Sequence, residues 1–528
     1  MKKILTIILD GFGMKEDIYG NAVKNAGMTN FINICNKYPH CLLKNNEENV
    51  GLPKGQCSSS ELGHKIIGAG TVVENRISKA NEVLNNERLK YNSKYNELIY
   101  KLKNSSKNLH IIIMLSDGGI SSHINHLKQF IKELNNSKVT NPIYLHLISD
   151  GRDSNKFSIS NYLQDIQGLL NDQIKISTLC GRYYALDYTK DYKRIKYYYE
   201  LLFEGKAVDS PNLDKVIKMC YAKKMSDEYI LPLKTKDYKP IKDEDAVVIL
   251  NYGKSNQIEL LEALVKKDFN EFHLNRRNID VYSLFEIDKT LNKNYFIEIE
   301  PNQNTLCEYL SELGITQARI YESIKRNSMR YFLDGEKNIE VENCDYVEVE
   351  SPKVESFDVK PELNSLAVSK AVIKYMEKDC DFIIANFANP DEVGHTGNYQ
   401  ATINGLQAID VCLGKILETA EENFYKVIIL GSHAKADTII DRKNNIVTKN
   451  TLSPVPFIII DKRVKLYNGD LTMVAPTILN YMEISIPKEM KETRLLFDRK
   501  WDINLIFLMK KIIKKSTIYT WFKVFSLL

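Results

Sequence analysis

The sequence has no two cysteines close enough to form a CxxC metal or redox site. Its nine cysteines are scattered from residue 35 to residue 412. An odd number of dispersed thiols is typical of reduced intracellular proteins and argues against a secreted disulfide scaffold. We therefore expect a cytoplasmic protein.

The sequence also lacks an excess of charge of either sign. It has 72 Lys and Arg against 68 Asp and Glu, a net charge of +4 over 528 residues. Neither nucleic acid nor a membrane is therefore expected as the main partner. The apolar run in MKKILTIILDGFG is similar to a short signal peptide, but it ends at Asp10 with no small-residue cleavage site after it. We interpret it as a buried strand.

An uninterrupted apolar span is also missing from residues 497–528, which mix apolar runs with six lysines. This segment is too broken for a transmembrane helix, which needs about 20 apolar residues. A basic amphipathic helix of this kind can lie on an anionic membrane or dock on a partner. The alternative is that it packs as one more helix.

Apolar runs that end in polar residues recur along the chain. They are LTIILD near the N terminus, LHIIIMLSDGG (109–119), IYLHLISDGRD (143–153), AVVILNYG (246–253), FIIANFANPD (382–391) and KVIILGSH (426–433). Helical patterns lie between them, at 158–172 and 366–379 among others. This alternation predicts an α/β fold with mainly parallel sheets, whose strands end at a ligand crevice. The length is sufficient for two domains.

Carboxylates and histidines follow three of these runs. Asp10 ends the first, Asp391 and His395 follow another at a spacing of four residues, and His433 ends the last. Such a set suits a divalent cation, with Mn²⁺ or Zn²⁺ favoured over Ca²⁺. Each residue alone would more often be a cap or a surface group. Together with the serine-rich, glycine-rich stretch GLPKGQCSSSELGHKIIGAG (51–70), they favour a functional site.

The chain resembles the cofactor-independent (2,3-bisphosphoglycerate-independent) phosphoglycerate mutases of the alkaline phosphatase superfamily, from residue 1 to about residue 496. The stretches that carry the resemblance are ILDGFG, YGNAV, the whole of 51–70, LSDGG with SHINHL, SDGRD, GRYYALD, SPKVESFDVKPEL, NFANPDEVGHTG and SPVPFIII. They are long and occur in the family's order.

The resemblance implies a phosphatase-like metal-binding domain with an α/β phosphotransferase domain inserted into it. The first domain is expected at 1–76 and 302–496 and the second at 77–301, with 497–528 outside both. The implied reaction is the glycolytic conversion of 3-phosphoglycerate to 2-phosphoglycerate through a phosphoserine, with two Mn²⁺ ions. We expect a monomer.

The resemblance also implies roles for individual residues. Ser60 matches the nucleophile and a metal ligand. The other implied metal ligands are Asp10 with His433 on one ion, and Asp391 with His395 on the second. The implied substrate-binding residues are Arg152, Asp153, Arg182, Lys325 and His123.

Several positions depart from the family pattern. Ser432 and Asn450 stand where the family has a metal-binding carboxylate and a metal-binding histidine. A substrate-site histidine and three arginines are replaced by Ser121, Tyr188, Gly253 and Asn256. The candidates for compensating ligands are Ser432, Asn450, Asp437, Lys254, His123 and His126.

Three functions therefore stay open on the sequence alone. The first is a phosphoglycerate mutase, and the second is a catalytically inactive pseudoenzyme that serves as a binding or regulatory module. The third is a slow phosphohydrolase that acts on another phosphometabolite.

Overall fold

The fold contains two separate eight-stranded sheets in a computed structural model that describes residues 2–496. The segment 497–528, for which a membrane or protein contact is predicted, lies outside the described residues. The strands are β1 (Ile4–Leu9), β2 (His40–Lys44), β3 (Leu109–Leu115), β4 (Ile143–Ser149), β5 (Ile174–Gly181), β6 (Val208–Asp209), β7 (Leu233–Lys234), β8 (Ala246–Ile249), β9 (Asp280–Phe285), β10 (Tyr295–Ile297), β11 (Gln317–Glu322), β12 (Cys344–Val349), β13 (Phe382–Phe387), β14 (Lys426–Gly431), β15 (Val455–Ile459) and β16 (Gly469–Asp470).

Helices cover both sheets. They are α1 (Ala22–Asn25), α2 (Thr29–Lys37), α3 (Ser60–Ala69), α4 (Arg76–Asn85), α5 (Ser93–Lys103), α6 (Ile124–Asn136), α7 (Ile159–Asp165), α8 (Arg182–Ala185), α9 (Tyr192–Glu204), α10 (Leu213–Ala222), α11 (Ile258–Val265), α12 (Leu306–Glu312), α13 (Ser365–Glu377), α14 (Asn389–His395), α15 (Tyr399–Glu422) and α16 (Val474–Tyr481). The helix predicted at 366–379 is α13. The one predicted at 158–172 is shorter, because α7 ends at Asp165 and a 3₁₀ turn containing Gly168 follows.

The first sheet has the strand order β12-β11-β13-β1-β14-β15-β2-β16, and the second has β10-β9-β8-β3-β4-β5-β7-β6. In the first, β15 runs antiparallel to β14 and β2; in the second, β7 runs antiparallel to β5. The other described pairings are parallel, which confirms the predicted α/β class.

The two sheets use different parts of the chain. All strands of the first lie within 4–44 or 317–470, and all strands of the second lie within 109–297. This separation agrees with an inserted domain. The boundaries at 76–77 and 301–302 stay a prediction.

The central strands explain why the sequence shows continuous apolar runs. Every residue of β1 and of β3 is buried, since each strand has neighbours on both edges and helices on both faces. A parallel strand covered on both faces is apolar at successive positions instead of alternating.

Within residues 2–496, no helix has the length and apolar character that a membrane crossing requires. All nine cysteines are free thiols.

Candidate functional site

The register of three strands brings the ends of β1, β13 and β14 together. β1 lies between β13 and β14, and Leu9 is paired with both Phe387 and Gly431. The three strands therefore end at one level of the sheet. Asp10 directly follows β1, and only Ser432 separates His433 from the end of β14. Helix α14, which begins two residues after β13, carries Asp391 and His395.

These strand ends form a buried cluster of carboxylates and imidazoles. Asp10, Asp391 and His433 each offer one atom to a group whose members lie within 4.8 Å of one another. His433 places Nδ1 3.2 Å from Asp10 Oδ1 and Nε2 2.9 Å from Asp391 Oδ1. His395 Nε2 lies 3.1 Å from the same Asp391 oxygen. Its Nδ1 is 2.7 Å from the Thr448 carbonyl, so Nδ1 donates there and the Nε2 lone pair faces the cluster.

Lys325 supplies the positive charge at the centre of this cluster. Its Nζ lies 3.0 Å from Asp10 Oδ2 and 2.8 Å from Glu392 Oε1, and it also pairs with Asp391. Burial alone would lower the pKa of Lys325, but the three carboxylates hold that pKa well above its usual range. Burial raises the pKa of Asp10, yet Lys325 and the hydrogen bond from His433 outweigh this effect and hold it well below its usual value.

His433 is charged in this arrangement. Burial would lower its pKa, whereas the charge of Asp391 and hydrogen bonds to Asp10 and Asp391 raise the pKa to about 9. The negative charges of Asp10 and Asp391 are therefore neutralised by Lys325 and by the imidazolium of His433.

Ser60 is the first residue of α3 and points into the cluster. Ser59 caps the helix by accepting from Leu62 N–H, which leaves Ser60 at the positive end of the helix dipole. The Ser60 hydroxyl donates to Asp10 Oδ2 at 2.6 Å and lies 3.0 Å from Ser328 Oγ. Since the pKa of Asp10 is low, that carboxylate is a weak base. The Ser60 hydroxyl therefore needs a nearby cation to become a good nucleophile.

Close packing of α3 against the end of β14 fixes the position of Ser60. A Cβ at Gly63 would lie 2.4 Å from the Ser432 carbonyl oxygen, so the backbones approach too closely for any side chain. One turn after Ser60, His64 Nδ1 is 2.7 Å from the Ser60 carbonyl, and its Nε2 accepts from Asn386 Nδ2 at 3.0 Å. Burial lowers the pKa of His64, which is therefore neutral and connects the start of α3 to Asn386 by hydrogen bonds.

The replaced ligand positions still lie beside the cluster or beside the Ser60 loop. Ser432 Oγ donates to Asp10 Oδ1 and is 3.0 Å from His433 Nδ1. Asn450 Nδ2 donates to the Ser58 carbonyl at 2.8 Å, while its buried Oδ1 has no hydrogen-bond partner among residues 2–496. Asp437 is engaged elsewhere, because its two oxygens accept from Thr451 and Ser453 at 2.8 and 2.7 Å.

This donor set fits a divalent cation. Two carboxylates and two imidazoles converge, a hydroxyl lies within reach of one carboxylate, and the buried amide oxygen of Asn450 is unpaired within the part of the chain that the structure describes. Carboxylate oxygens with imidazole nitrogens are the ligands of Mn²⁺ and Zn²⁺ sites.

The second sheet contributes arginines from the carboxyl ends of its own strands. Leu115 pairs with Ser149, and Ser149 with Gly181, so β3, β4 and β5 end side by side. Arg182, after β5, donates from Nη1 to Asp150 Oδ1 at 2.6 Å and to Asp153 Oδ2 at 2.7 Å.

Arg152 connects this edge to the Ser60 cluster. Its Nη2 donates to Glu392 Oε2 at 2.9 Å, and Glu392 Oε1 lies at Lys325. Tyr188 donates from its hydroxyl to the same Oε2 at 3.3 Å, and its ring centre lies 5.4 Å from the Arg152 guanidinium carbon. The two sheets thus face each other with the strand ends of both at one cleft.

Three of the four positions where the resemblance leads us to expect an arginine or a histidine form a neutral wall, namely Ser121, Gly253 and Asn256. Asn256 Nδ2 donates to Ser121 Oγ at 2.9 Å. Gly253 packs against the same serine, since a Cβ there would lie 2.7 Å from Ser121 Oγ. Lys254 contacts Tyr331 Oη at 2.6 Å and lies 3.8 Å from Glu286.

His123 immediately precedes α6, and His126 lies in its first turn. His123 caps that helix, with Nδ1 accepting from Asn125 N–H at 3.1 Å, and its ring centre lies 5.7 Å from that of His126. His126 Nε2 is 2.9 Å from Asn81 Oδ1. The substrate role of His123 therefore stays a prediction, without the contacts that connect Arg152, Arg182 and Lys325 to the cleft.

Sequence reasoning missed two side chains of this site. Glu392 immediately follows Asp391 on α14, and its place in the NPDEVGH motif was the available signal. Ser328 lies in the short π-helix Ser328–Phe332, where no local sequence pattern indicated a functional residue.

Comparisons with known proteins agree with this geometry. The metalloenzyme superfamily model matches residues 2–486. The 2,3-bisphosphoglycerate-independent phosphoglycerate mutase of Clostridium tetani is 36% identical over 510 residues, covering 94% of this chain and 99% of that protein. The Campylobacter jejuni RM1221 protein of the same name is 34% identical over 494 residues, with 93% and 99% covered. The chain belongs to the 2,3-bisphosphoglycerate-independent phosphoglycerate mutase family.

The predicted membership of this mutase family is thus confirmed, and a solved structure supports the fold. A crystal structure of Leishmania mexicana phosphoglycerate mutase, at low cobalt concentration, matches with a TM-score of 0.89 and 24% identity. The match covers 94% of this chain and 98% of that one. The mutase family, the metalloenzyme superfamily match and the buried Asp10–Asp391–His433 cluster together indicate a metal-binding protein.

Proposed function

We propose that the chain is a phosphoglycerate mutase that converts 3-phosphoglycerate to 2-phosphoglycerate through a phosphoserine on Ser60. The observation that carries this proposal is the position of the Ser60 hydroxyl. It lies at the start of α3, donates to Asp10, and has Lys325 on the same carboxylate. The relatives that bear the mutase name extend over nearly the whole chain.

In the first half-reaction, Ser60 Oγ forms a bond to phosphorus and the bond between phosphorus and the glycerate oxygen breaks. The proton that Ser60 loses passes through Asp10 Oδ2, to which the hydroxyl already donates, and on to the released glycerate oxygen, so the weakly basic Asp10 carries it only transiently. The second half-reaction reverses these steps on the neighbouring hydroxyl. Lys325 and Arg152 would hold the phosphoryl group, and Arg182 with Asp153 would orient the glycerate.

We further propose Mn²⁺ as the cofactor, with Asp10, Ser60 and His433 at one position and Asp391 and His395 at the other. When bound, the ion lowers the pKa of a nearby hydroxyl and offsets the charge of the phosphoryl group. A cytoplasmic monomer remains our expectation, and the nine free thiols favour that compartment.

A second candidate is a phosphohydrolase, and the neutral wall of Ser121, Gly253 and Asn256 favours it. With fewer cations to retain it, the glycerate would dissociate from the phosphoserine intermediate, and water would then take the phosphoryl group from Ser60. The third reading, an inactive binding module, requires ligand binding without either reaction.

One experiment separates these functions. The full chain is incubated with 3-phosphoglycerate and Mn²⁺, and 2-phosphoglycerate and inorganic phosphate are both measured. We expect 2-phosphoglycerate from the wild type, none from Ser60→Ala, and loss of product with EDTA. Ser58→Ala is the matched control, because the buried Ser58 hydroxyl makes no hydrogen bond to any residue that the structure describes.

Turnover by Ser60→Ala equal to that of the wild type would contradict the proposed mechanism. Inorganic phosphate without 2-phosphoglycerate would identify a phosphohydrolase. Ligand binding with neither product would identify a binding module.

A further inference from the structure

Glu392 occupies the point where the two cations proposed for the phosphoryl group meet. Its Oε1 lies 2.8 Å from Lys325 Nζ, and its Oε2 lies 2.9 Å from Arg152 Nη2. The Tyr188 hydroxyl adds a third donor at 3.3 Å from Oε2. The side chain of Glu392 is buried, with 4% of its surface exposed.

The surroundings of Glu392 have the form of an anion-binding site. A guanidinium, an ammonium and a phenol converge on one planar carboxylate, and the same donors recognise a phosphoryl or carboxyl group of a ligand. The donors come from both halves of the cleft, since Arg152 and Tyr188 belong to the second-sheet region and Lys325 to the first. One carboxylate of the chain therefore already makes the bridge that a bound anion would make.

We infer that Glu392 is a built-in anion that competes with the substrate's charged group for Arg152 and Lys325. This inference rests on the proposed function for the identity of the ligand. A phosphorylated ligand must displace the Glu392 carboxylate from at least one of its two cations before it binds. Glu392 thereby weakens binding of all small anions and favours those with enough further contacts, at Arg182 and Asp153, to offset the displacement.

A purely structural salt bridge predicts a different result. If Glu392 served only to connect the two halves of the cleft, its removal would loosen the cleft and weaken ligand binding. A competing anion predicts tighter binding instead, because two cations are freed. The sign of the change in affinity therefore decides between the two roles.

The test measures binding of inorganic phosphate and of 3-phosphoglycerate to the full chain by calorimetry, with Mn²⁺ present. Glu392→Gln keeps the shape and removes the charge, so we expect both ligands to bind about tenfold more tightly or better, the effect of one charge-assisted hydrogen bond. Glu392→Met is the second variant, in case the amide does not support folding. Glu97→Gln is the control, since Glu97 pairs with Lys94 and Lys101 on the exposed face of α5, and it should bind as the wild type does.

Unchanged or weaker binding by both Glu392 variants would overturn the inference, and so would a lack of measurable anion binding by all the proteins. Wild-type turnover is measured on the same samples. Normal mutase activity together with unchanged affinity in Glu392→Gln would reject the competing anion and leave the proposed function standing. Tighter phosphate binding by Glu392→Gln without any turnover by the wild type would support the competing anion and reject the proposed function.

Discussion

Replacing Lys325 by methionine should strongly destabilise the metal-free protein. Methionine has a similar length but no charge, so the substitution leaves Asp10, Asp391 and Glu392 around an apolar group. These carboxylates are buried, and Lys325 contacts all three. The nearby charges of His433 and Arg152 compensate them in part.

The size of the effect follows from the burial of both partners. Removing one member of a buried ion pair costs about 3–5 kcal/mol, because the other charge stays desolvated and unpaired. Three carboxylates share Lys325, and protonation of one of them limits the loss. We therefore expect the free energy of unfolding of Lys325→Met to fall by about 3–5 kcal/mol at neutral pH.

Urea denaturation followed by circular dichroism measures this change. Lys218→Met is the matched control, since Lys218 pairs with Asp214 on the exposed face of α10 and its loss should cost less than about 1 kcal/mol. Added Mn²⁺ should stabilise Lys325→Met more than the wild type, because the ion replaces the missing charge. Equal losses in the two variants, or stronger stabilisation of the wild type by Mn²⁺, would refute the reasoning.

Two further predictions concern single buried groups. Burial raises the pKa of Glu259 to about 8, and its Oε2 has no hydrogen-bond partner in the described range 2–496. The folded protein therefore holds a proton that the unfolded chain releases above about pH 4.5, and stability falls as the pH rises towards 8. Glu259→Gln should remove this loss, so its urea midpoint should exceed that of the wild type at about pH 9 and match it at about pH 5. The same difference between the variant and wild-type midpoints at both pH values would show that Glu259 does not carry this proton. Ser432→Asp should raise Mn²⁺ affinity because it places a carboxylate beside Asp10 and His433. We expect an increase of about tenfold or more, since even groups that contact only the ligands of a metal change its affinity by about 10–100-fold. Calorimetric titration measures this affinity, and an unchanged value would mean that position 432 does not face the ion.

The strand ends were predictable because their signal is local. A buried parallel strand must be apolar at each position, so β1, β13 and β14 are visible as runs, and the polar residue after each run must lie at the sheet edge. This rule placed Asp10, Asp391 and His433 at the sheet edge, and the serine-rich stretch 51–70 was needed to favour a functional site there. The resemblance added Ser60 and the substrate residues, since nothing local distinguishes Ser60 from its two serine neighbours.

The pairings within the site were not predictable in the same way. Glu392 and Arg152 are 240 residues apart, and their contact depends on how the two sheets face each other. Ser328 reaches Ser60 across 268 residues of chain. A glutamate on a short helix is exposed in most proteins, so composition gave no reason to place Glu392 between two cations.

The serine at position 432 and the glutamate at position 392 act together on where negative charge lies around Ser60. A carboxylate at 432 would stand beside Asp10, on the side where a cation would activate the Ser60 hydroxyl; the serine there contributes a neutral hydrogen bond instead. Glu392 places a carboxylate on the opposite side, against the two cations that face the ligand. The first feature reduces attraction for a metal ion and the second reduces attraction for a phosphate. Removing Glu392 and restoring the carboxylate at 432 should therefore raise activity by more in the double variant than in either single variant, because phosphoryl transfer needs the metal ion and the anionic ligand bound at the same time.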